Sequence, residues 1–390
     1  MTTITSGASA ETDANWVPTA EDSAGWVWTF QSYDYKSRPL QTTNPDGTTK
    51  VISYGGCGCA GGEVTTIQDE HGRQRRLTKD TFGRLSQVEE LNWNASVYAY
   101  TNYYYNGRDQ LVNSNQAGQW RGFAYDGYGR LLARDTPEQG HVSYSYNADD
   151  TTNVVTDARG ATTTFGYNPR HLVTSITYGV PGGVAATPNV SLGYDAAGNR
   201  TSMTDGLGSV SYSYNQLSRL GSETRNFNGV GGFTLSYSYN LAGELASITN
   251  PWSAQVSYGY DKAGRVTAVN GAGFAGVSSY ASGLTYRAFG ATKGMSYGDG
   301  KTLTTAYDNR MRPTTWNVAG VLGYNYNYDY FNEHTGRVTY AQNIQDATLD
   351  RSYEYDSVGR LVFSHSGAEA RAHAINGQWG TQDGPYSQRI

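Results

Sequence analysis

One short pattern returns along this chain at a nearly fixed step, and such a step constrains a fold more tightly than composition does. YDGYGRLL begins at Tyr125, YDAAGNRT at Tyr194, YDKAGRVT at Tyr260 and YDSVGRLV at Tyr355. Looser copies begin at Tyr33, Tyr105, Tyr146, Tyr167, Tyr214, Tyr239, Tyr286, Tyr307 and Tyr328, and a degenerate one, KDTFGRLS, surrounds Asp80. From Tyr105 onward the anchors are 20 to 27 residues apart, and a step of about 21 dominates. A unit that short buries no core of its own. The fourteen copies must therefore stack as one repetitive structure rather than as separate globular domains.

Within a unit, tyrosines alternate before the anchor, as in Tyr144 and Tyr146, Tyr212 and Tyr214, or Tyr258 and Tyr260. A spacing of two puts both rings on one face of a strand. Asp or Asn follows the anchor, then two variable residues, then often Gly. The acid or amide oxygen can cap a tight turn, and Gly accepts a positive φ without steric cost. A second apolar-alternating stretch comes next, such as Val266–Val269, before a polar Gly-containing return. Each unit reads as a β-hairpin plus its connection.

Composition supports strands over helices. Tyr supplies 33 residues against 10 Phe, and Gly supplies 48, while only 16% of residues are charged. Tyrosine buries area as phenylalanine does, and its hydroxyl can also reach polar groups at the rim of a thin interior. Arginine outnumbers lysine, 23 to 6, and often follows the motif glycine, as at Arg130, Arg265 and Arg360. A guanidinium there can stack on a tyrosine ring of the next unit and hydrogen-bond in its own plane; the alternative is a solvated turn charge. A net charge of −5 lacks the footprint of a general nucleic-acid binder. No run of 18 apolar residues is present to span a membrane as a helix, and no signal peptide is read at the N-terminus.

The Y-D-x-x-G-R-L pattern at this period resembles the YD repeat of the RHS family, which includes bacterial Rhs proteins, the C-component shells of Tc toxins and the teneurins. The resemblance covers residues 33–365. It implies an all-β fold in which tandem hairpins form a long spiralling β-strip, a partial or open YD shell. It further implies a structural scaffold: part of an encapsulating shell in a secreted or delivered, toxin-type protein, placed outside the cell or at its surface. The repeat-motif residues it marks are Tyr125, Asp126, Gly129 and Arg130; Tyr194, Asp195 and Gly198; Tyr260, Asp261, Gly264 and Arg265; and Tyr355, Asp356, Gly359 and Arg360. Bacterial members close their shells with an Asp-Pro-x-Gly element, which this sequence lacks, so neither self-cleavage nor a toxin domain is carried over.

On this reading residues 1–32 are a lead-in, 33–365 the strip with a Gly/Cys-rich break at 55–62, and 366–390 a tail that starts a further, incomplete repeat. Cys57 and Cys59 in GGCGCAGG are candidates for redox chemistry or cross-linking, against the plainer reading of a glycine-rich turn with two thiols. No nucleophile elbow, zinc helix or phosphate loop is found, so neither enzymatic activity, a metal nor a cofactor is expected. His365 and His373 are the closest histidine pair. Open edges of the strip are expected to recruit further copies, flanking repeats or cargo. The alternative from another class is an adhesive or carbohydrate-binding module using its tyrosine faces; an enzyme with an unrecognised carboxylate pair comes third.

Overall fold

A computed structural model describes residues 3–6, 29–56, 62–330, 333–376 and 388–389. It is all-β apart from one α-helix and short 3-10 turns. The strands pair antiparallel with their neighbours in sequence, and they fall into two compact units: residues 102–280, and residues 1–101 with 281–390.

In the unit of residues 102–280 the chain meanders from hairpin to hairpin. Strand Gly140–Tyr146 runs into its anchor, turns, and returns as Thr152–Thr156, paired from Ser143↔Thr156 to Tyr146↔Thr152. That second strand turns again at Asp157–Gly160 and pairs with Thr162–Tyr167. The register slips by one residue immediately before the anchor in hairpin after hairpin, at Tyr125, Tyr146, Tyr167, Tyr194, Tyr214, Tyr239 and Tyr260. The slip is a β-bulge, and it follows from a tight turn whose fourth residue is left-handed. Few residues are buried; Val142 and Val210 are among them. Most strand side chains are half-buried, so the interior is made from rows of tyrosine and β-branched side chains rather than from a deep core.

The unit of residues 1–101 and 281–390 is built from the same hairpins. Its first repeat strand is Thr29–Tyr33, paired with Pro39–Thr43, so strand structure is already in place four residues before the Tyr33 anchor. The Gly/Cys-rich stretch reads as a break in sequence, yet the ladder continues across it, from Val51↔Gln68 to Gly55↔Val64. Cys57 and Cys59 themselves lie outside the described residues.

Residues 367–376, expected to start a further repeat, form a helix instead. The physical reason is in GAEARAHAIN: it has no Tyr-x-Tyr, and alanine, the best helix former, recurs at every second position. Ala370 and Ala374, one turn apart, are buried against Tyr340 of strand Tyr340–Asn343. Beneath the helix Asp350 is fully buried. It accepts from the Tyr340 hydroxyl at 2.7 Å and the Asn343 N–H at 2.8 Å, and pairs with Arg371 of the helix at 2.9 Å.

Candidate functional site

The motif aspartate organises its turn with both oxygens. Asp126 Oδ1 accepts from the N–H groups of Tyr128 and Arg130, each at 2.9 Å, while Oδ2 accepts from Arg130 Nε at 2.7 Å. The backbone closes the same loop, Gly129 N–H to Asp126 O and Asp126 N–H to Arg130 O. Asp261 and Asp356 bind Arg265 and Arg360 in the same way. Partial burial of Asp126 opposes its charge, but the bonds from Arg130 and Tyr128 outweigh it and hold the carboxyl below the usual range. At Asp195 no arginine stands in the same place. There Asn199 donates both its N–H and its side-chain amide, and the Asn199 side-chain bond leads the downward shift.

Glycine four residues after the anchor sits at φ +92° in Gly129, +91° in Gly198, +75° in Gly264 and +80° in Gly359. The looser repeats keep the same backbone with residues that favour it less: Ser37, Asp109, Asp150, His171, Ser218 and Met311 all have φ between 57° and 65°. The turn geometry therefore persists where the glycine signature is lost.

The anchor hydroxyl has one recurring target, which sequence reasoning missed. Tyr146 donates to Leu131 O at 2.8 Å, Tyr167 to Thr152 O at 2.8 Å, Tyr260 to Leu245 O at 2.8 Å and Tyr307 to Thr292 O at 2.8 Å. Tyr125, Tyr194, Tyr214, Tyr239, Tyr328 and Tyr355 do the same to Leu111, Val173, Arg200, Leu220, Pro313 and Val338. Leu131, Thr152 and Leu245 are each the partner of the preceding anchor at its bulge, six residues beyond it. The ladder between Leu131–Thr136 and Gly140–Tyr146 begins only at Ala133↔Ser143, so Leu131 O has no strand donor on that side. The tyrosine supplies one, which phenylalanine cannot. Each hairpin is thereby fastened to the one before it.

The motif arginines bridge successive repeats through the ring. Arg130 lies 4.7 Å from the centre of Tyr146, Arg38 4.0 Å from Tyr54, Arg219 4.9 Å from Tyr239 and Arg312 4.6 Å from Tyr328. Arg360 follows the Tyr355 anchor. It lies over Tyr98, at 4.8 Å, and donates to the Tyr98 hydroxyl.

That contact belongs to a wider clasp between early and late repeats of the same unit. Arg73 and Glu333 form a buried two-pronged pair, and Arg73 Nε also donates to Asp356 O at 2.7 Å. Arg310 reaches Glu70 at 2.8 Å and Asp46 at 3.6 Å. Burial pushes the Glu333 carboxyl up, while hydrogen bonds from Arg73 and Thr335 and the charge of Arg73 pull it further down, to a net lowering.

His365 and His373 come together beside Glu354. Their rings are 4.8 Å apart, and His373 Nε2 is 2.5 Å from Glu354 Oε1. Burial lowers the pKa of both imidazoles and raises that of Glu354. Among the described residues no group of three or more His, Cys, Asp or Glu is arranged to hold a metal ion.

A family model described as Teneurin YD-shell matches residues 138–271. No curated protein matches the chain. The crystal structure of TcdB2-TccC3 is similar at a TM-score of 0.75 and 15% identity, covering 87% of this chain and 20% of that one. The Photorhabdus luminescens Tc holotoxin pore gives 0.73 and 15%, covering 87% and 19%. The crystal structure of TcdB2-TccC3-TEV gives 0.74 and 14%, covering 91% and 21%. At such identities the likeness establishes the fold, and the chain spans about a fifth of the length of the structures it matches. The YD-shell match over residues 138–271, the same fold over most of the chain and the repeated anchors give this chain the YD-shell fold and make it similar to the RHS/YD-repeat family.

Proposed function

We propose that this chain serves as wall in an Rhs-type encapsulating shell, in a secreted or delivered protein that works outside the cell or at its surface. The observation that carries this is the recurring bond from anchor hydroxyl to preceding repeat. It fastens hairpins one after another into a continuous strip and engages no small-molecule site. The wall would be extended by flanking repeats of a larger polypeptide or by further copies joined edge to edge, and would enclose a cargo. The solved TcdB2-TccC3 structures, of which the chain spans about a fifth, support a role as one portion of a larger enclosure.

Two measurements test the proposal. An unfolded passenger peptide fused to the chain should resist a protease that digests the free peptide at once; full digestion at the rate of the free peptide contradicts enclosure. Sedimentation over a wide concentration range should show growing assemblies, and a compact monomer throughout contradicts edge-to-edge joining.

A second reading, a carbohydrate-binding surface, draws on rings displayed at the turn tips. Tyr35, Phe82 and Tyr128 are 89%, 79% and 88% exposed, and such faces stack on sugar rings. Saturable binding on a glycan array that Tyr35→Ala and Tyr128→Ala abolish would favour this reading.

A further inference from the structure

The clasp between early and late repeats encloses more than its own ion pairs. In the same unit, between strands Thr49–Gly55, Gln74–Lys79 and Leu85–Leu91 and the Asp356–Gly359 turn, lies a cavity of about 220 Å³. Four cations line it, Lys50, Arg73, Arg75 and Arg337, with only two carboxylates, Asp69 and Glu90. Glu333 adds a third carboxylate behind the wall, where Arg73 and Arg337 share it, at 2.6 Å and 3.4 Å.

The carboxylates do not neutralise this wall. Asp69 Oδ1 is occupied by the N–H groups of His71 and Arg73, and its Oδ2 is 3.7 Å from Arg73. Glu90 stands opposite Arg75 in the ladder but makes no ion pair with it. Among the described residues neither Lys50 nor Arg75 forms an ion pair with a carboxylate, and both are exposed. The buried Ser357 adds a hydroxyl to the wall.

We propose that this cavity binds a phosphate or sulfate monoester. Guanidinium groups present paired N–H donors at the spacing of two oxyanion oxygens, and the ammonium of Lys50 adds a point charge. A concave site with a surplus of cations over free carboxylates suits a compact dianion or monoanion better than a neutral sugar. The site is separate from the scaffold role, because neither Lys50 nor Arg75 takes part in the anchor turns or in the Arg73–Glu333 pair.

Calorimetric titration of the full chain with inorganic phosphate, glucose 6-phosphate and glucose 6-sulfate, at ionic strength matched with chloride, tests this. At least one ester should bind saturably and raise the melting temperature. The phosphate and sulfate arms decide which ester is preferred. Lys50→Gln combined with Arg75→Gln should weaken that binding tenfold or more and leave the ligand-free melting temperature unchanged, whereas Arg159→Gln, at an exposed turn of the other unit, should leave binding intact. If none of the three ligands binds saturably, or if the double variant binds as the parent does, the proposal fails.

Discussion

Arg73 and Glu333, 260 residues apart in sequence, share two hydrogen bonds of 2.7 and 2.6 Å between nearly buried side chains. Both sit at turns of repeats that are remote along the chain. A third bond, from Arg73 Nε to Asp356 O, ties the same guanidinium to the final anchor turn. The early and late repeats of this unit are thus joined by a desolvated charge pair. Such a pair is costly to break from one side, because the charge left behind stays buried.

Arg73→Ala should therefore destabilise the chain by about 3–5 kcal/mol, since Glu333 loses its partner in a buried site. Replacing both, as Arg73→Met with Glu333→Leu, should cost much less, because no lone charge remains. Denaturant melts of the three variants check this, and equal losses in the single and double variants would contradict it.

The same pair sets a pH dependence. The Glu333 carboxyl is held below its ordinary value in the folded chain. Its contribution is complete above the ordinary glutamate range, near 4.5, and is lost as pH falls from there through the lowered folded value. Melting temperature should decline over that acid window in the parent, and more gently in the Arg73→Met/Glu333→Leu variant. Parallel declines would show that Glu333 is not the group responsible.

The anchor hydroxyl predicts an asymmetry between two tyrosines of one strand. Tyr146→Phe leaves Leu131 O without its donor and should cost about 0.5–1.5 kcal/mol. Tyr144→Phe, two residues earlier on the same face, removes no such bond and should stay within about 0.5 kcal/mol. Matching shifts in the denaturation midpoint would count against the hydroxyl's role.

At the fourth turn position, Met311 adopts φ 63°. Left-handed strain of about 1–2 kcal/mol exceeds the ~0.4–1 kcal/mol of extra unfolded freedom that glycine brings. Met311→Gly should stabilise by roughly 0.5–1 kcal/mol, and Gly129→Ala should destabilise, its φ being +92°. Gly127→Ala is the control, since nothing lies within 4 Å of the added carbon. Thermal melts that move all three variants in one direction would refute the assignment.

The hairpins, their faces and their turns were legible because each is a local matter: Tyr144 and Tyr146 share a face by spacing, and Asp126 and Gly129 make a turn within four residues. The target of the hydroxyl was hidden because it depends on the bulge. Only the slip at Tyr125 leaves Leu131 O facing the next strand without a donor. The six-residue offset from the preceding anchor is a signal that a count along the repeats could have found. Arg73 and Glu333 carried no signal of their pairing, as each reads alone as an ordinary turn charge. The helix Gly367–Asn376 was written in its alanines, but the strength of the repeat drew attention from them. Glu354 escaped notice beside His365 and His373 because its place comes from strand pairing, where it faces Phe363 in the neighbouring ladder position.

Hydrogen exchange under native conditions tests most directly whether anchor hydroxyls fasten each hairpin to its predecessor. In Tyr146→Phe and Tyr260→Phe, amide exchange should quicken in the hairpins on either side of the missing bond, Leu131–Thr136 with Gly140–Tyr146 and Leu245–Thr249 with Gln255–Tyr260, and remain at parent rates in distant repeats. Unchanged protection in those hairpins, with the substituted chains still folded, would contradict the account.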